Sequence, residues 1–511
     1  MNILIRTDSS ITIGTGHLMR CLTLADALKE KGAEVHFICR DLQGNLSHIV
    51  KGHGHKLHLL PAPKDDVKLQ ADNPAHASWL EVSWQNDLQD TQQITCSVTE
   101  KFDWLIVDSY ALDYRWEQKM RAKADKIMVI DDLADRKHDC DLLLDQNYYQ
   151  NLESRYDGLV PSGCEKLLGP KYALLRPEFL QERNRLRWRD GSIKRILICF
   201  GGSDPSNETT KALEAVCMLN RQDISVDVVV GSANPNKDTI NELCAAMTNV
   251  AYHCQVENMA QLMAKADLFV GAGGTTVWER CALTLPSMTT TIAKNQEKTI
   301  SDLAESGYLL FLGSSEAVLV ESFYYALEIV LQSPWLLISF AQKMWHIVDG
   351  KGVKRVARKI MPLEIILRMA TMDDCKTIYN WRNAEETRRY IFNPEQISFD
   401  KHCIWFKESL QNTNRQILIA ELHGKAVGVL RYDIEGELAV ISIYNVPGMK
   451  GYGIGTQIIS IGSKWLSRNF PDVHKIQARV LPGNLASKKA FVSAEYTRHH
   501  ITYEEKLIDD Y

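Results

Sequence analysis

The chain has 511 residues, which at roughly 150 residues per domain is too long for one hydrophobic core and predicts several domains. Its 59 Lys and Arg against 64 Asp and Glu leave a net charge of -5, so no long-range basic field favours nucleic acid or an anionic membrane as a partner. With 45% hydrophobic and 24% charged residues, the composition is that of an ordinary globular protein.

The cellular compartment is indicated by the apolar runs and the cysteines. No uninterrupted apolar run reaches the about 18 residues of a membrane helix, and the first residues enter a strand pattern instead of a signal peptide. The 12 cysteines include no Cys-x-x-Cys pair, which fits reduced thiols better than a disulfide framework or a zinc site. We therefore predict a soluble, cytoplasmic protein without a metal site; the oligomeric state has no signature in the sequence.

Strand and helix signals alternate over the first 360 residues, and this alternation is typical of parallel sheets. The pattern breaks at the arginine-rich stretch 182–191, which we interpret as a solvated linker between a lobe at 1–186 and a second lobe at 187–361. An amphipathic segment at 335–360 is predicted to be helical and to pack back across both lobes. The predicted strands are 3–8, 34–41, 104–108, 127–132, 142–145, 195–200, 226–230, 250–254, 268–271 and 309–312.

The pattern changes after Pro362 to strands with hairpin spacing, and a separate α+β domain is predicted at 364–511. Strands are expected at 416–422, 426–432 and 437–444. A glycine loop, a helix at 457–469 and strands at 475–481 and 501–506 follow. The expected fold class is therefore α/β, with two Rossmann-like lobes followed by an α+β domain.

A first glycine loop links strand 3–8 to the helix predicted at 17–31. Gly14 and Gly16 let the backbone approach a ligand, and the helix N-terminus favours negative charge. His17 and Arg20 lie on the first turns, where a histidine can deprotonate water near neutral pH. A capping or packing histidine is the alternative, and Asp41 at the end of the second strand keeps a dinucleotide site open.

The stretch Arg6–Asp8 (RTD), followed by Gly14–Leu22 (GTGHLMRCL), resembles the UDP-sugar hydrolases of pseudaminic acid biosynthesis, which act on UDP-2,4-diacetamido-2,4,6-trideoxy-β-L-altropyranose. The resemblance covers roughly residues 1–361 and implies two lobes of the GT-B type. It also implies that His17 activates water for attack at the anomeric carbon, with loss of UDP and inversion. Further candidates at predicted strand ends, to orient His17 or the sugar, are Asp8, Asp108 and Tyr110, with a helix-capping alternative for Asp108.

A second glycine loop, Gly271–Glu279 (GAGGTTVWE), follows strand 268–271 and offers backbone amides and hydroxyls to a diphosphate. The resemblance assigns Glu279 to uridine binding, where a carboxylate can accept both ribose hydroxyls; a favourable charge at a helix N-terminus is the alternative. The residues of this lobe expected to bind substrate are Gly273, Gly274, Thr275, Thr276, Glu279, Asn295 and Gln296.

In the C-terminal domain, the loop Pro447–Thr456 (PGMKGYGIGT) and the later run Val480–Phe491 (VLPGNLASKKAF) resemble the GNAT acetyltransferases over residues 364–511. The resemblance implies acetyl-CoA as co-substrate. Lys450 stands where an Arg or Gln usually opens the loop, and Phe491 stands where many members have a tyrosine. The expected cofactor-binding residues are Lys450, Gly451, Gly453, Gly455, Thr456 and Asn484, and the candidate general bases are Glu435, Glu437 and Tyr444.

Together the two resemblances imply one function for the whole chain. Pseudaminic acid synthesis contains a GNAT step that acetylates the 4-amino group of a UDP-amino sugar immediately before the hydrolase removes UDP, so the chain would hold both steps. The expected partners are a UDP-sugar and acetyl-CoA, with no nucleic acid and no membrane. The alternative is a GT-B glycosyltransferase with an appended acetyltransferase or a degenerate acyl-CoA-binding module.

Overall fold

The apolar strand runs of the first 361 residues form two parallel sheets, as their alternation with helices predicts. The protein is described here from a computed structural model, which covers residues 1–63, 73–362, 364–422, 424–448, 453–494 and 496–497. The chain divides into two units, Met1–Met361 and Pro362–Tyr511, and both parallel sheets lie in the first.

The sheet of the first lobe has the strand order β3-β2-β1-β4-β5-β6-β7. Alternate residues of β1 enter different cores, since Ile3 and Ile5 pack on one side and Leu4 on the other. Both faces of the sheet are therefore covered, as the doubly wound architecture requires. Its strands are β1 (Asn2–Thr7), β2 (Glu34–Arg40), β3 (Lys56–Leu60), β4 (Phe102–Asp108), β5 (Ala124–Ile130), β6 (Leu142–Asp145) and β7 (Glu165–Leu168), and its helices are α1 (Gly16–Glu30), α2 (His48–Gly52), α3 (Trp84–Val98) and α4 (Tyr114–Met120). Helix α5 (Pro177–Arg183) follows, and its Phe179 packs in the core of the second lobe.

The second lobe repeats this topology in the order β10-β9-β8-β11-β12-β13, so two Rossmann-like lobes are confirmed. Its core runs continuously through the buried strands and the helices that pack on them. The strands are β8 (Arg195–Cys199), β9 (Ser225–Val230), β10 (Val250–Cys254), β11 (Leu268–Ala272), β12 (Ser287–Thr291) and β13 (Leu310–Ser314). The helices are α6 (Glu208–Leu219), α7 (Lys237–Ala245), α8 (Met259–Lys265), α9 (Thr276–Ala282), α10 (Lys294–Glu305), α11 (Val320–Leu331), α12 (Pro334–Ile347) and α13 (Gly352–Ile360).

The arginine-rich stretch between the lobes is solvated only in part: Arg185 and Arg187 are exposed, but two of its four arginines are buried, and for those two the interpretation is wrong. Arg183 and Arg189 are only 7% and 5% exposed. Arg183 donates to the carbonyls of Ala282 at 2.5 Å and Trp345 at 2.7 Å, and Arg189 donates to that of Met263 at 3.2 Å. All three carbonyls lie in the last turns of helices, where unsatisfied oxygens and the helix dipole attract cations.

The segment predicted as one helix at 335–360 forms α12 and α13, which residues 348–351 separate. The core of the second lobe includes α12, and that of the first lobe includes α13, so the predicted packing across both lobes is confirmed. The chain thus crosses between the lobes a second time. The two crossings lie side by side. A Cβ added at Gly350 would lie 3.3 Å from the side chain of Leu180, and a Cβ added at Gly352 would lie 2.2 Å from the carbonyl oxygen of Ala173.

Within the described residues, no single helix is long and apolar enough to cross a membrane. One bent pair, Val320–Leu331 with Pro334–Ile360, reaches the required length and composition only when its members are taken together.

The second unit contains a sheet in the order β14-β15-β16-β17-β18, which is antiparallel except for the last pair. Strand β17 pairs with β18 over Leu438–Ile441, and since β18 ends at Ala478, Ser442–Asn445 of β17 lie beyond the end of this partner strand. The elements are β14 (Ile365–Met369), β15 (Arg415–Leu422), β16 (Lys425–Glu435), β17 (Leu438–Asn445), β18 (Lys475–Ala478), α14 (Cys375–Asn383), α15 (Glu385–Arg388), α16 (Phe399–Gln411), α17 (Ile454–Asn469) and α18 (Leu485–Ser493). The strand predicted at 501–506 lies outside the described residues.

Candidate functional site

The candidate site lies where the strand order of the first sheet reverses. Strands β1 and β4 are neighbours, and Thr7 and Asp108 are paired at their carboxyl ends. In doubly wound sheets, ligands bind in the crevice outside the carboxyl ends at this point. The structure therefore brings Asp8, His17 and Asp108 to one edge of the sheet, where together with Tyr110 they line a small cleft.

His17 is held by a carboxylate. Its Nδ1 donates to Oδ1 of Asp108 at 2.6 Å, and the histidine side chain is 10% exposed while that of Asp108 is fully buried. Because this bond fixes the proton on Nδ1, Nε2 is the basic nitrogen of the neutral ring. Within the described part of the chain no side chain hydrogen-bonds Nε2, so this nitrogen can accept a proton from a molecule in the cleft.

Arg20 ties the same carboxylate down with two hydrogen bonds, from Nε at 2.7 Å and from Nη2 at 2.6 Å. Burial alone would raise the pKa of Asp108, but the charge of Arg20 and the neighbouring His17 outweigh it and hold that pKa well below its ordinary value. Asp108 is therefore an anion throughout the physiological range. The carboxylate of Asp108 binds the side chains of His17 and Arg20 and does not cap a helix, so the helix-capping alternative is wrong.

Tyr110 and Asp132 complete this network. Arg20 reaches Asp132 at 3.1 Å, and the hydroxyl of Tyr110 donates to the other oxygen of the Asp132 carboxylate. Burial, followed by the charge of Asp132, raises the pKa of Tyr110 well above its ordinary value, so the tyrosine keeps its proton. Its ring stands edge-on to that of His17, with centroids 4.5 Å apart. Tyr110 thus presents its ring to the histidine and directs its hydroxyl to Asp132.

Asp8 lines the cleft but serves a different network. One of its oxygens accepts from Arg6 at 2.6 Å and from the backbone of Arg40 at 2.7 Å. Arg6 and Arg40 both also bind the buried Asp87. The described side chains show no hydrogen bond between Asp8 and His17, so Asp108 is the residue that orients the histidine.

Sequence reasoning missed several residues of this site. Asp132 follows β5 at the same sheet edge, and its position at a strand end was the available signal. Trp79 lines the cleft from a short 3-10 turn, Ala77–Leu80, and His76 packs against Trp79 with ring centroids 4.7 Å apart. No periodic pattern marks that turn, so the sequence offered no signal for it.

The second glycine loop faces the first across the cleft between the lobes. A Cβ added at Gly16 would lie 3.8 Å from the side chain of Thr275, which identifies the two loops as opposite walls. Thr276 begins helix α9, and the backbone at Gly273 packs closely on Ile300, where a Cβ would come within 2.6 Å. The first-turn amides of α9 therefore lie at the carboxyl end of β11, as an anion site requires.

Gln296 supports this loop from the start of α10. Its Oε1 accepts from the backbone of Ile292 at 3.1 Å, and its side chain lies 3.8 Å from the position of a Cβ on Gly274. Asn295 is exposed beside it. Both residues follow β12, which neighbours β11, so the structure brings them to the same edge as the loop.

Glu279 is partly buried on helix α9, with Arg176 as its cationic neighbour at 3.7 Å. Burial raises the pKa of Glu279 to about 7, because Arg176 offsets the loss of hydration only in part and Glu178 adds repulsion. The 17% exposure of the side chain leaves the carboxylate accessible. A carboxylate with unsatisfied oxygens in this position can accept hydrogen bonds from a bound diol.

In the C-terminal unit, the described part of the predicted loop lies at the start of α17. Gly453 caps this helix with φ of 74°, a left-handed conformation that favours glycine, and a Cβ at Gly455 would lie 3.4 Å from the amide of Asn445. Thr456 occupies the first turn. These residues fit a nucleotide thioester with its pyrophosphate at the start of this helix. Lys450 and Gly451 lie outside the described residues.

The remaining residues predicted for this unit have structural roles in it. Asn484 caps α18 by accepting from the backbone of Ser487 at 3.1 Å, and Phe491 is a core residue that is 8% exposed. Glu435 and Glu437 are exposed at the hairpin between β16 and β17, at the opposite end of β17 from Gly453. Burial raises the pKa of Tyr444 well above its ordinary value, so this tyrosine is a poor base near neutral pH.

Comparison with known proteins identifies both units. The Glycosyltransferase family 28 C-terminal domain matches residues 196–317, and the Acetyltransferase (GNAT) domain matches residues 364–497. The second lobe therefore has the fold of the GT-B class, as expected. An uncharacterized protein of Methanocaldococcus jannaschii is 24% identical over 512 residues, which cover 98% of this chain and 97% of that protein. Among solved structures, MurG of Acinetobacter baumannii is 13% identical, covers 70% of this chain and 99% of that one, and has a TM-score of 0.48.

A curated relative gives the family of the first unit. The UDP-2,4-diacetamido-2,4,6-trideoxy-β-L-altropyranose hydrolase of Campylobacter jejuni is 30% identical over 309 residues, which are 60% of this chain and 98% of that enzyme. This identity extends over nearly the whole relative, and the residues at the switch point of the first sheet form a connected site. The chain therefore belongs to the family of this UDP-sugar hydrolase, and it carries a GNAT acetyltransferase domain in addition.

Proposed function

We propose that the first unit hydrolyses UDP-2,4-diacetamido-2,4,6-trideoxy-β-L-altropyranose to UDP and the free sugar. The observation that carries the proposal is the pair His17 and Asp108, in which a buried carboxylate fixes the histidine with Nε2 as its basic nitrogen beside a cleft. The relative in Campylobacter jejuni supports the identity of the substrate. Localisation in the cytoplasm is consistent with a nucleotide-sugar substrate and is part of the proposal.

In the proposed mechanism, Nε2 of His17 removes a proton from a water molecule as its oxygen attacks the anomeric carbon. The bond from that carbon to the diphosphate oxygen breaks, and its electron pair leaves with UDP. Attack from the side opposite the diphosphate inverts the anomeric centre. The imidazolium that forms is stabilised by the ionised Asp108 at 2.6 Å, which Arg20 holds in place.

The second lobe holds the leaving group. The amide of Gly274 and those at the start of α9 bind the diphosphate, whose charge increases as the bond breaks. The hydroxyls of Thr275 and Thr276 add donors, and Glu279 accepts from the ribose. Asn295 and Gln296 lie at the edge of the same pocket. UDP is a stable anion, so this wall of the cleft needs no general acid.

For the C-terminal domain we propose transfer of an acetyl group to the 4-amino group of the precursor UDP-amino sugar. Acetyl-CoA supplies the acetyl group when bound, and the GNAT match supports it as co-substrate. The start of α17, with Gly453, Gly455 and Thr456, would hold the pyrophosphate. Asn484 remains a predicted cofactor contact and Lys450 and Gly451 complete the predicted loop. Of the three candidates for the general base of this domain, Glu435 and Glu437 lie at the end of β17 away from Gly453 and burial raises the pKa of Tyr444, so we assign none of them that role.

One incubation tests the hydrolase against the glycosyltransferase alternative. The full-length protein is mixed with the UDP-sugar and no acceptor, and UDP and reducing sugar are measured. Hydrolysis predicts equal amounts of both products. Release of UDP that depends on an added acceptor would overturn hydrolysis and support transfer. A parallel assay with the 4-amino precursor and acetyl-CoA tests the second step, and an absence of free CoA would identify the C-terminal domain as a binding module.

A further inference from the structure

Trp79 is the largest apolar side chain in the wall of the His17 cleft, and the proposed mechanism gives it no task. Its ring stands edge-on to that of His17, with centroids 6.4 Å apart and planes at 86°. It is tilted against the ring of Tyr110 at 5.5 Å. The tryptophan is only partly buried, so some of its surface is available to a molecule in the cleft.

The position of Trp79 is fixed by its neighbours. Leu80 is 1% exposed and anchors the turn in the core of the first lobe. The backbone of Trp79 donates to the carbonyl of His76 at 2.9 Å, and the His76 ring packs on the indole. Glu81 ends the turn with φ of 55°, in the left-handed region that is uncommon for a residue with a side chain. The indole is therefore placed before any ligand arrives.

The chemistry of the proposed substrate suits such a wall. The sugar named for the Campylobacter relative has acetamido groups at positions 2 and 4 and no oxygen at position 6, so it presents three methyl groups. A common UDP-sugar has hydroxyls at positions 4 and 6. Aromatic rings bury methyl groups favourably. A hydroxyl placed against the same ring loses hydrogen bonds to water that the ring does not replace.

We propose that Trp79, with the ring of Tyr110, forms an apolar subsite that recognises the methyl groups of a diacetamido-trideoxy sugar and selects against hydroxylated UDP-sugars. Trp79 is thus a specificity residue, not a catalytic one. The inference rests on the proposed hydrolase function. It assigns the choice of sugar to the first lobe and leaves the nucleotide to the second.

The test compares full-length wild type with Trp79→Phe and Trp79→Gln. Trp188→Ala serves as a control because Trp188 is 73% exposed in the crossing between the lobes. Three quantities are measured for each protein: kcat/KM for the diacetamido-trideoxy UDP-sugar, and the competitive inhibition constants of UDP-N-acetylglucosamine and of UDP. The UDP constant reports an intact nucleotide site in every variant and so detects misfolding.

We expect Trp79→Gln to lower kcat/KM for the trideoxy sugar by about tenfold or more, the size of effect that pocket contacts with one or two methyl groups produce. The inhibition constants of UDP and UDP-N-acetylglucosamine should stay within about twofold, and Trp79→Phe should retain most activity. Equal losses for both sugars, or no loss, would overturn the inference while leaving the hydrolase in place. A wild type that releases no UDP would instead overturn the proposed function and the inference with it.

Discussion

Nδ1 of His17 and Oδ1 of Asp108 lie 2.6 Å apart, although 91 residues separate them along the chain. The same carboxylate receives two hydrogen bonds from Arg20, and its pKa is held well below the ordinary value against the effect of burial. The proton on His17 is therefore confined to Nδ1 while the charge of Asp108 persists. This relationship is the basis of the first two predictions.

Replacing His17 by alanine should remove the general base and lower the rate of UDP release by at least about 100-fold. The proposed nucleotide site lies in the other lobe, so the dissociation constant of UDP should change by less than about twofold. Turnover and calorimetric titration with UDP measure the two quantities. His48→Ala is the matched control because His48 is exposed on α2, outside the cleft. Activity within tenfold of wild type would remove His17 from the mechanism.

Replacing Asp108 by asparagine should lower stability in a pH-dependent way. An aspartate with a lowered folded pKa stabilises the protein above its unfolded pKa of about 3.9, and this contribution is lost as the pH falls below that value. The difference in free energy of unfolding between wild type and Asp108→Asn should thus shrink as the pH falls below about 4. Urea denaturation at several pH values measures it. A difference that is constant down to pH 3 would contradict the ionised pair.

Replacing Glu279 by glutamine should weaken UDP binding and remove part of its pH dependence. Burial raises the pKa of Glu279 to about 7, so the carboxylate that accepts the ribose hydroxyls is mostly protonated at pH 6 and mostly ionised at pH 8. The ratio of the variant's UDP dissociation constant to that of wild type should increase up to about tenfold between these pH values, as full linkage to one proton predicts. The ratio cancels the titration of UDP itself. A ratio that is independent of pH would show that the charge of Glu279 does not serve the ribose.

Replacing Gly453 by alanine should weaken acetyl-CoA binding by the C-terminal domain by about tenfold or more, since a side chain strains the left-handed conformation (φ of 74°) from which the first amides of α17 follow. Gly436→Ala is the matched control: it also has a positive φ, of 59°, and it lies in the hairpin between β16 and β17. Both variants should lose similar stability on thermal denaturation. Only Gly453→Ala should lose affinity in a titration with acetyl-CoA, and equal affinities would place the cofactor elsewhere.

The two units should function when they are separated. The chain divides at Met361 and Pro362, and each part has its own hydrophobic cores. Residues 1–361 alone should release UDP at a rate within about threefold of the full chain, and residues 364–511 alone should fold and bind acetyl-CoA. Circular dichroism and the two assays test this. A folded C-terminal piece that binds no acetyl-CoA would identify the domain as a binding module for another ligand.

The sequence predicted which edge of each sheet bears the site but not which residues touch there. Glycines and a histidine after a strand locate a helix N-terminus, so the segment around His17 could be found. The partner of His17 depends on which strand lies beside β1, and the strand ends at Asp8, Asp108 and Asp132 look alike in sequence. Only the strand order shows that Asp108 orients the histidine while Asp8 binds Arg6.

Two further errors have physical causes. Strand β12 was missed because its sequence, Ser-Met-Thr-Thr-Thr, has little hydrophobic character although every residue is buried. All the arginines of 182–191 were interpreted as solvated because charge usually indicates solvent, whereas helix C-termini at Ala282 and Met263 provide buried carbonyls for Arg183 and Arg189. A pattern of residue types cannot reveal such long-range partners.

The two side-by-side crossings of the chain have a consequence for motion. Leu180 on the first crossing lies against Gly350 on the second, so two neighbouring connections join the lobes. Two neighbouring connections resist twisting and sliding of one lobe against the other. Hinge rotation about the connections is then the motion that costs least. Such a rotation would change the distance between Gly16 and Thr275, which lie on opposite walls of the cleft. In the proposed function, we expect the sugar to enter and UDP to leave at the side away from these connections.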